Sequence, residues 1–389
     1  MPSSSRLDTS FLDGLRGLAA LWVLIGHALI LTGVKVSLLS SPHYAVDLFI
    51  LISGFLMAFN YLERRAKEPW QQPSTWTTFW VRRFFRIAPL YYVLLAAALI
   101  VGPWLSESRD AIAGLAAGTQ TPSARYLDRS VANIAMHVSF LFGLSPTYHF
   151  RTALPDWSLG LEMQYYAVFP FLMLLIAKTG WARGIAVLAA LGVAAALLSK
   201  AAGLHFDEPS LLALKLHIFL AGMLAAGSIA AVGRRKLVAS LAACVLMALP
   251  LDGSPHSRQV VRFGIAAVFV LLLHRDALAG AAGRTLLRHA AQALSSRVGH
   301  VLGELSYGLY LVHLLVLIPV CGWLAVHHAA WSGGVRLAAA LAVAVPLSYL
   351  LAAIGHVAFE KPGIALGRRW VGKRRVAAPA ASSSPTVAG

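Results

Sequence analysis

The stretch LDGLRGLAALWVLIGHALI, residues 12–30, decides the fold class. It is apolar and long enough to cross a bilayer as one helix, for which about 20 residues suffice. Yet it holds Asp13, Arg16 and His27. On a helix, eleven steps of about 100° bring Arg16 and His27 to within about 20° of one face, roughly 16 Å apart along the axis. An arginine in hydrocarbon is costly and normally faces a partner or a wet cavity. A histidine can stay neutral there, and it titrates near the pH at which proton transfer is needed. Two readings are open from these residues alone. One is a snorkelling arginine with a histidine bonded to a neighbouring helix, and the other is a pair of functional groups along one path.

The rest of the chain repeats the apolar pattern. Of 389 residues, 58% are hydrophobic and 13% charged, against roughly a quarter charged in soluble domains. Apolar runs fall at about 12–32, 43–60, 85–103, 131–145, 157–177, 184–200, 211–232, 237–250, 259–274, 301–326 and 335–359. Short basic loops separate them, which is the signature of an all-α polytopic membrane protein. The net charge of +17 sits in those loops and at helix ends, so it reads as topology rather than as a nucleic-acid surface. Cys244 and Cys321 both lie inside apolar runs and read as buried thiols, with neither a disulfide framework nor a metal site implied. No basic n-region and cleavage site precede the first run, which is expected to be a retained helix.

Charge orients the spans. Arg64, Arg65, Lys67, Arg82, Arg83 and Arg86 cluster around the connection from Tyr61 to Trp80, which should be cytoplasmic. Counting back two spans puts the N-terminus there too. If 131–145 crosses, the basic turn at 233–236 and the arginines at 275, 284, 288 and 297 fall outside; if it does not, all become cytoplasmic. The preferred count is therefore about ten transmembrane helices, with eleven possible and both termini cytoplasmic. The segment 104–156 is expected to be a long outer loop with a re-entrant or surface-lying helix. Residues 1–11 form a cytoplasmic N-terminal tail, 12–362 the membrane domain, and 363–389 a basic and then disordered cytoplasmic tail. No internal repeat marks an inverted-repeat transporter.

Several clusters carry chemistry. In WVRRFFRIAPLYYV, residues 80–93, Arg83 and Arg86 share a helix face at i and i+3. Such a pair can grip phosphates through fork-like hydrogen bonds or simply anchor the span. In PDWSLGLEMQYYAVFP, residues 155–170, Glu162 can orient a histidine or bind sugar hydroxyls, with Trp157 as a stacking face. In GELSYGLYLVHLLVL, residues 303–317, Tyr310 and His313 lie one turn apart and can share a polar seam with Ser306 and Tyr307 nearby. Asp47 stands near the outer boundary, where it can be merely solvated. Ser53 and Gly54 are read as small residues for close helix packing.

Taken in order, LDGLRGLAALWVLIGH, DLFILISGFL, RRFFRIAPLYY, WSLGLEMQYY, GELSYGLYLVH and the terminal FEKP at 359–362 resemble the acyltransferase-3 family of integral membrane acyltransferases. The resemblance spans residues 12 to about 362. It implies an O-acyltransferase of the bacterial cytoplasmic (inner) membrane, multi-pass. Such an enzyme moves an acyl group, usually acetyl, from acetyl-CoA or another acyl-CoA to a hydroxyl of a carbohydrate or glycoconjugate, without a metal. By the same resemblance Arg16 helps hold the donor and Arg83 and Arg86 bind the CoA phosphates. His27 is the general base or a covalent acyl carrier. Glu162 and Trp157 serve the acceptor side or position His27, and Ser306, Tyr307 and His313 contribute to substrate binding, the first two as oxyanion donors. The acceptor stays open between surface polysaccharide, lipopolysaccharide, peptidoglycan and small glycosylated metabolites such as macrolides. A transporter or flippase of lipid-linked sugars, with Arg16, His27 and Glu162 lining its path, is the rival from another class.

Overall fold

Glycine and proline punctuate long apolar helices throughout this chain. A computed structural model describes residues 8–278 and 280–377. The N-terminal residues 1–7 and the tail beyond Ala377, where a disordered end is expected, lie outside the described residues. In chain order the helices are α1 (Phe11–Thr32), α2 (His43–Arg64), α3 (Pro73–Leu115), α4 (Ala124–Leu127), α5 (Val131–Val138), α6 (Trp157–Thr179) and α7 (Trp181–Ala201). They continue as α8 (Leu212–Gly227), α9 (Gly233–Met247), α10 (His256–Leu273), α11 (Ala281–Leu294), α12 (Arg297–His327), α13 (Gly333–Gly355) and α14 (Lys361–Ala377). No strand occurs among the described residues.

Nine of these helices are long and apolar enough to cross a membrane, counted among the described residues. They are the spans read from the sequence except α9, whose 15 residues cover only about 22 Å at 1.5 Å per residue. The protein is an all-α, multi-pass membrane protein. The run at 131–145 does not cross: α5 has eight residues and gives way to a turn of 3-10 helix at Leu141–Leu144. Its polar residues are bonded locally. Asn133 Nδ2 donates to the carbonyls of Asp128 and Arg151 at 2.8 and 3.1 Å, and His137 Nδ1 lies 2.9 Å from Asn133 O.

Three segments differ from expectation. Helix α3 runs 43 residues, about 64 Å against a hydrocarbon core of about 30 Å. Residues 104–115 therefore continue a helix where a loop was expected. Pro73 starts α3 in its first turn, where a missing N–H costs nothing. Asp47 is not solvated. It is fully buried and receives Lys215 Nζ and Arg262 Nε, each at 2.7 Å, while Asp252 bonds the same two cations from the α9–α10 connection. Finally, the basic segment after 362 is helical as α14 and packs on α3.

Small residues set these helix contacts. A Cβ at Gly54 would overlap the carbonyl oxygen of Phe219, and one at Gly222 would overlap that of Leu51, so α2 and α8 meet backbone to backbone. Without a hydrophobic drive between helices in lipid, such close approach supplies the packing energy. At the other edge, a Cβ on Gly363 would stand 2.5 Å from Pro89 Cγ, and one on Gly367 would stand 2.8 Å from Phe85 Cβ. That glycine face lays α14 along the first half of α3, beside Arg86. Helix α12 lies against α1, α3 and α13 and forms the centre of the bundle.

Candidate active site

The first half of α3 brings Arg83 and Arg86 to a cavity of about 130 Å³ between α1, α2, α3, α6 and α12. Arg16 reaches it from α1, Glu162 from α6, and Ser306 and Tyr307 from α12. Six of the nine residues singled out in the sequence thus line one space. Three guanidinium groups and one carboxylate face it, an excess of positive charge in a setting that penalises every unpaired ion.

Each charge is held differently. Arg86 pairs with Glu360, which is completely buried while Arg86 is 27% exposed. Glu360 is presented by a π-helical turn, His356–Glu360, joining α13 to α14, and its second oxygen lies 3.0 Å from His356 Nδ1. Glu162 accepts from Ser53 Oγ at 3.1 Å and from the Tyr166 hydroxyl. Arg83 packs beside two rings that touch each other edge to face, its guanidinium carbon 5.8 Å from the centres of both Phe79 and Tyr166, and its Nε is buried with no partner. Arg16 is half-buried and makes no hydrogen bond or ion pair with any described residue. Two cations thus face the cavity without a carboxylate of their own. A second chamber of about 50 Å³ adjoins the first, sharing Met57 and Arg83 and adding Asn60, Arg64, Arg82 and Trp70. An anionic ligand with several oxygens satisfies such a lining through charge-assisted, fork-like bonds.

The hydroxyls expected to serve as donors are already engaged. Ser306 Oγ donates to Gly303 O at 2.7 Å and Tyr307 OH to Ile87 O at 2.8 Å. Toward the cavity both present lone pairs rather than protons. Trp157 is buried in the core and does not line the cavity.

The two histidines stand apart from the arginines and next to each other. His27 Nδ1 lies 3.1 Å from His313 Nε2, with ring centres 5.0 Å apart. Neither lines the cavity, but Tyr310 does, and its ring centre is 6.1 Å from that of His313. The Tyr310 hydroxyl is pinned at the start of α6 by Ser158 Oγ and by Pro155 O just before the helix, each at 2.7 Å. Glu162 makes no bond to His27; its neighbours are Ser53 and Tyr166. Sequence reasoning missed Glu360, Tyr166 and Ser53. Glu360 stood in view within FEKP, but 274 positions separate it from Arg86, and no local spacing signals that pairing.

The fold and site define a class: a polytopic helical membrane protein with an arginine-lined cavity beside a buried histidine pair. Residues 9–353 match the family model described as an acyltransferase domain, and the chain belongs to the acyltransferase-3 family. A protein of Komagataeibacter xylinus named as a membrane-bound transacylase, BcsY, is 31% identical over 182 residues, 46% of this chain and 40% of that protein. The peptidoglycan O-acetyltransferase OatA of Listeria monocytogenes is 29% identical over 201 residues, 50% of this chain and 28% of that protein. The O-acetyltransferase OatA of Staphylococcus aureus is 29% identical over 168 residues, 42% of this chain and 24% of that protein. The chain thus matches less than half the length of each of these relatives. No solved structure matches it.

Proposed function

We propose that this protein is a membrane-embedded O-acyltransferase that moves an acyl group, acetyl in the first instance, from acyl-CoA to a hydroxyl of a carbohydrate or glycoconjugate. The observation that carries this reading is the cavity in which Arg16, on the helix that also bears His27, and Arg83, on α3, face open space without a carboxylate partner. Phosphate oxygens of CoA satisfy those guanidiniums, and the thin pantetheine arm then leads the thioester past Tyr310 toward His27. The relatives named for O-acetyl transfer support the acyl group, and the name of the Listeria protein supports a glycan acceptor. In this reading the arginine end faces the cytoplasm, where CoA thioesters are made, the protein lies in the inner membrane, and α9 adds a tenth, short crossing that leaves both termini cytoplasmic.

His27 acts as general base. As the acceptor oxygen attacks the thioester carbonyl, Nε2 takes the hydroxyl proton, the C–S bond breaks, and the proton passes to the departing CoA thiolate. The products are an ester and free CoA. Membrane vesicles carrying native acceptors and supplied with radiolabelled acetyl-CoA provide the test: wild-type protein transfers base-labile label and His27→Ala does not. Label transfer by His27→Ala at the wild-type rate refutes the assignment.

A further inference from the structure

His27 and His313 meet on α1 and α12, and their remaining partners fix where the protons sit. His27 Nδ1 lies 2.9 Å from Val23 O as well as 3.1 Å from His313 Nε2. His313 Nδ1 lies 2.7 Å from Tyr310 O. A carbonyl oxygen only accepts, so each Nδ1 carries the hydrogen. His313 Nε2 is then a lone pair directed at the His27 Nδ1–H. The opposite nitrogen of His27, Nε2, carries a lone pair and has no hydrogen-bond partner among the described residues.

We propose that His313 is the positioning residue of the transfer reaction, sharing the His27 Nδ1–H with Val23 O and so fixing the ring in the orientation that presents Nε2 as the base. The proposal rests on the acyl-transfer reading above. In acyl-transfer sites built on serine and histidine, a buried carboxylate holds the base in this way. Here Glu162 is committed to Ser53 and Tyr166, and the atom at His27 Nδ1 is a neutral imidazole nitrogen. A neutral partner suits its surroundings. An ionised carboxylate beside His27, away from the arginine cavity, would carry the desolvation penalty of a charge at membrane depth through every stage of the cycle. An imidazole carries none while His27 is unprotonated.

During transfer the acceptor oxygen bonds to the acyl carbon and its proton moves to His27 Nε2. The resulting imidazolium keeps its Nδ1–H on His313 Nε2 and Val23 O, which share the new charge. When the C–S bond breaks, the Nε2 proton goes to the thiolate, and both rings return to their starting tautomers. His313 neither gains nor loses a proton overall. Its own Nδ1–H is fastened to Tyr310 O, and Tyr310 is fastened to the start of α6, so the position of the base is tied to the wall of the arginine cavity.

The test compares His313→Leu, which removes the acceptor, with His313→Gln, whose amide oxygen can replace Nε2. Label transfer from acetyl-CoA in membrane vesicles is followed as donor concentration varies. His313→Leu is expected to lower kcat about 100-fold or more at unchanged donor KM, and His313→Gln to recover most of that loss. In detergent-solubilised protein with isotope-labelled histidine, the His27 ring signals, identified by their loss in His27→Gln, should report the Nδ1–H tautomer in wild type and His313→Gln. In His313→Leu they should shift, because the Nδ1–H is then left to Val23 O alone. Wild-type kcat in His313→Leu, a glutamine variant no better than leucine, or unchanged His27 ring signals in His313→Leu would each overturn the proposal. An inactive His27→Ala beside a fully active His313→Leu refutes the pair alone, whereas a fully active His27→Ala refutes the base on which the pair depends.

Discussion

Arg83 gives the sharpest prediction for donor binding. Its guanidinium packs beside both Phe79 and Tyr166, which restrict it on that side before a ligand arrives, and its Nε is a buried donor with nothing to bond. An unsatisfied buried donor costs about 1–3 kcal/mol, and a hydrogen bond to a charged group contributes about 1.5–3 kcal/mol. A donor phosphate that meets Arg83 recovers an amount in that range. Arg83→Ala should therefore raise the donor KM by about 10- to 150-fold, taking about 1.4 kcal/mol per factor of ten. Because the phosphate is far from the reacting carbon, the interaction is equally strong in ground and transition states, and kcat should change little. Arg83→Lys keeps the charge but loses the fork, and should fall between wild type and alanine. The assay is label transfer from acetyl-CoA in membrane vesicles as a function of donor concentration. A donor KM within about twofold of wild type in Arg83→Ala, with the protein folded, refutes the reasoning and returns Arg83 to the role of a basic anchor.

The Arg86–Glu360 pair should respond asymmetrically, since Glu360 is fully buried and Arg86 is 27% exposed. Arg86→Ala strands a buried carboxylate and should lower stability by about 3–5 kcal/mol, whereas Glu360→Gln leaves a cation that can face the cavity and should cost about 1–3 kcal/mol; thermal unfolding in detergent orders the two. Gly54→Leu or Gly222→Leu should force α2 and α8 apart and abolish monodisperse folded protein on gel filtration, because backbone carbonyls occupy the space that any side chain would need. Asp252 contributes a test in pH. Burial pushes its carboxyl pKa up, but the Arg262 hydrogen bonds and the Lys215 and Arg262 charges outweigh burial and hold it well below the usual carboxylate range. A depressed folded-state pKa stabilises above the unfolded value of about 4 and is lost only as pH falls through the folded one. The destabilisation caused by Asp252→Asn should thus be constant from about pH 5 to 8 and shrink only at lower pH.

Hydrophobic periodicity alone determined much of this protein. Runs of about 20 apolar residues must be helices, since only an intramolecular ladder satisfies backbone groups in lipid. Most of the spans, the buried cysteines and the clustering of Arg83 and Arg86 on one helix face were legible for that reason, whereas Glu162, read as serving the acceptor side or His27, joins the arginines only in the folded cavity. Helix geometry likewise put Arg16 and His27 on one face of α1. Tertiary structure decided which charges meet. Asp47 reads as a boundary carboxylate until α8 and α10 deliver Lys215 and Arg262 to it. Arg86 reads as a phosphate grip or a basic anchor until the glycine face of α14 brings Glu360 to it across 274 positions. His313 shows one-turn spacing to Tyr310 in the sequence, but the nitrogen that gives it meaning belongs to His27, 286 positions away. Local spacing encodes which face of a helix a residue occupies. The neighbour of that face is chosen by small-residue packing between helices distant in the chain, and only the folded bundle states it.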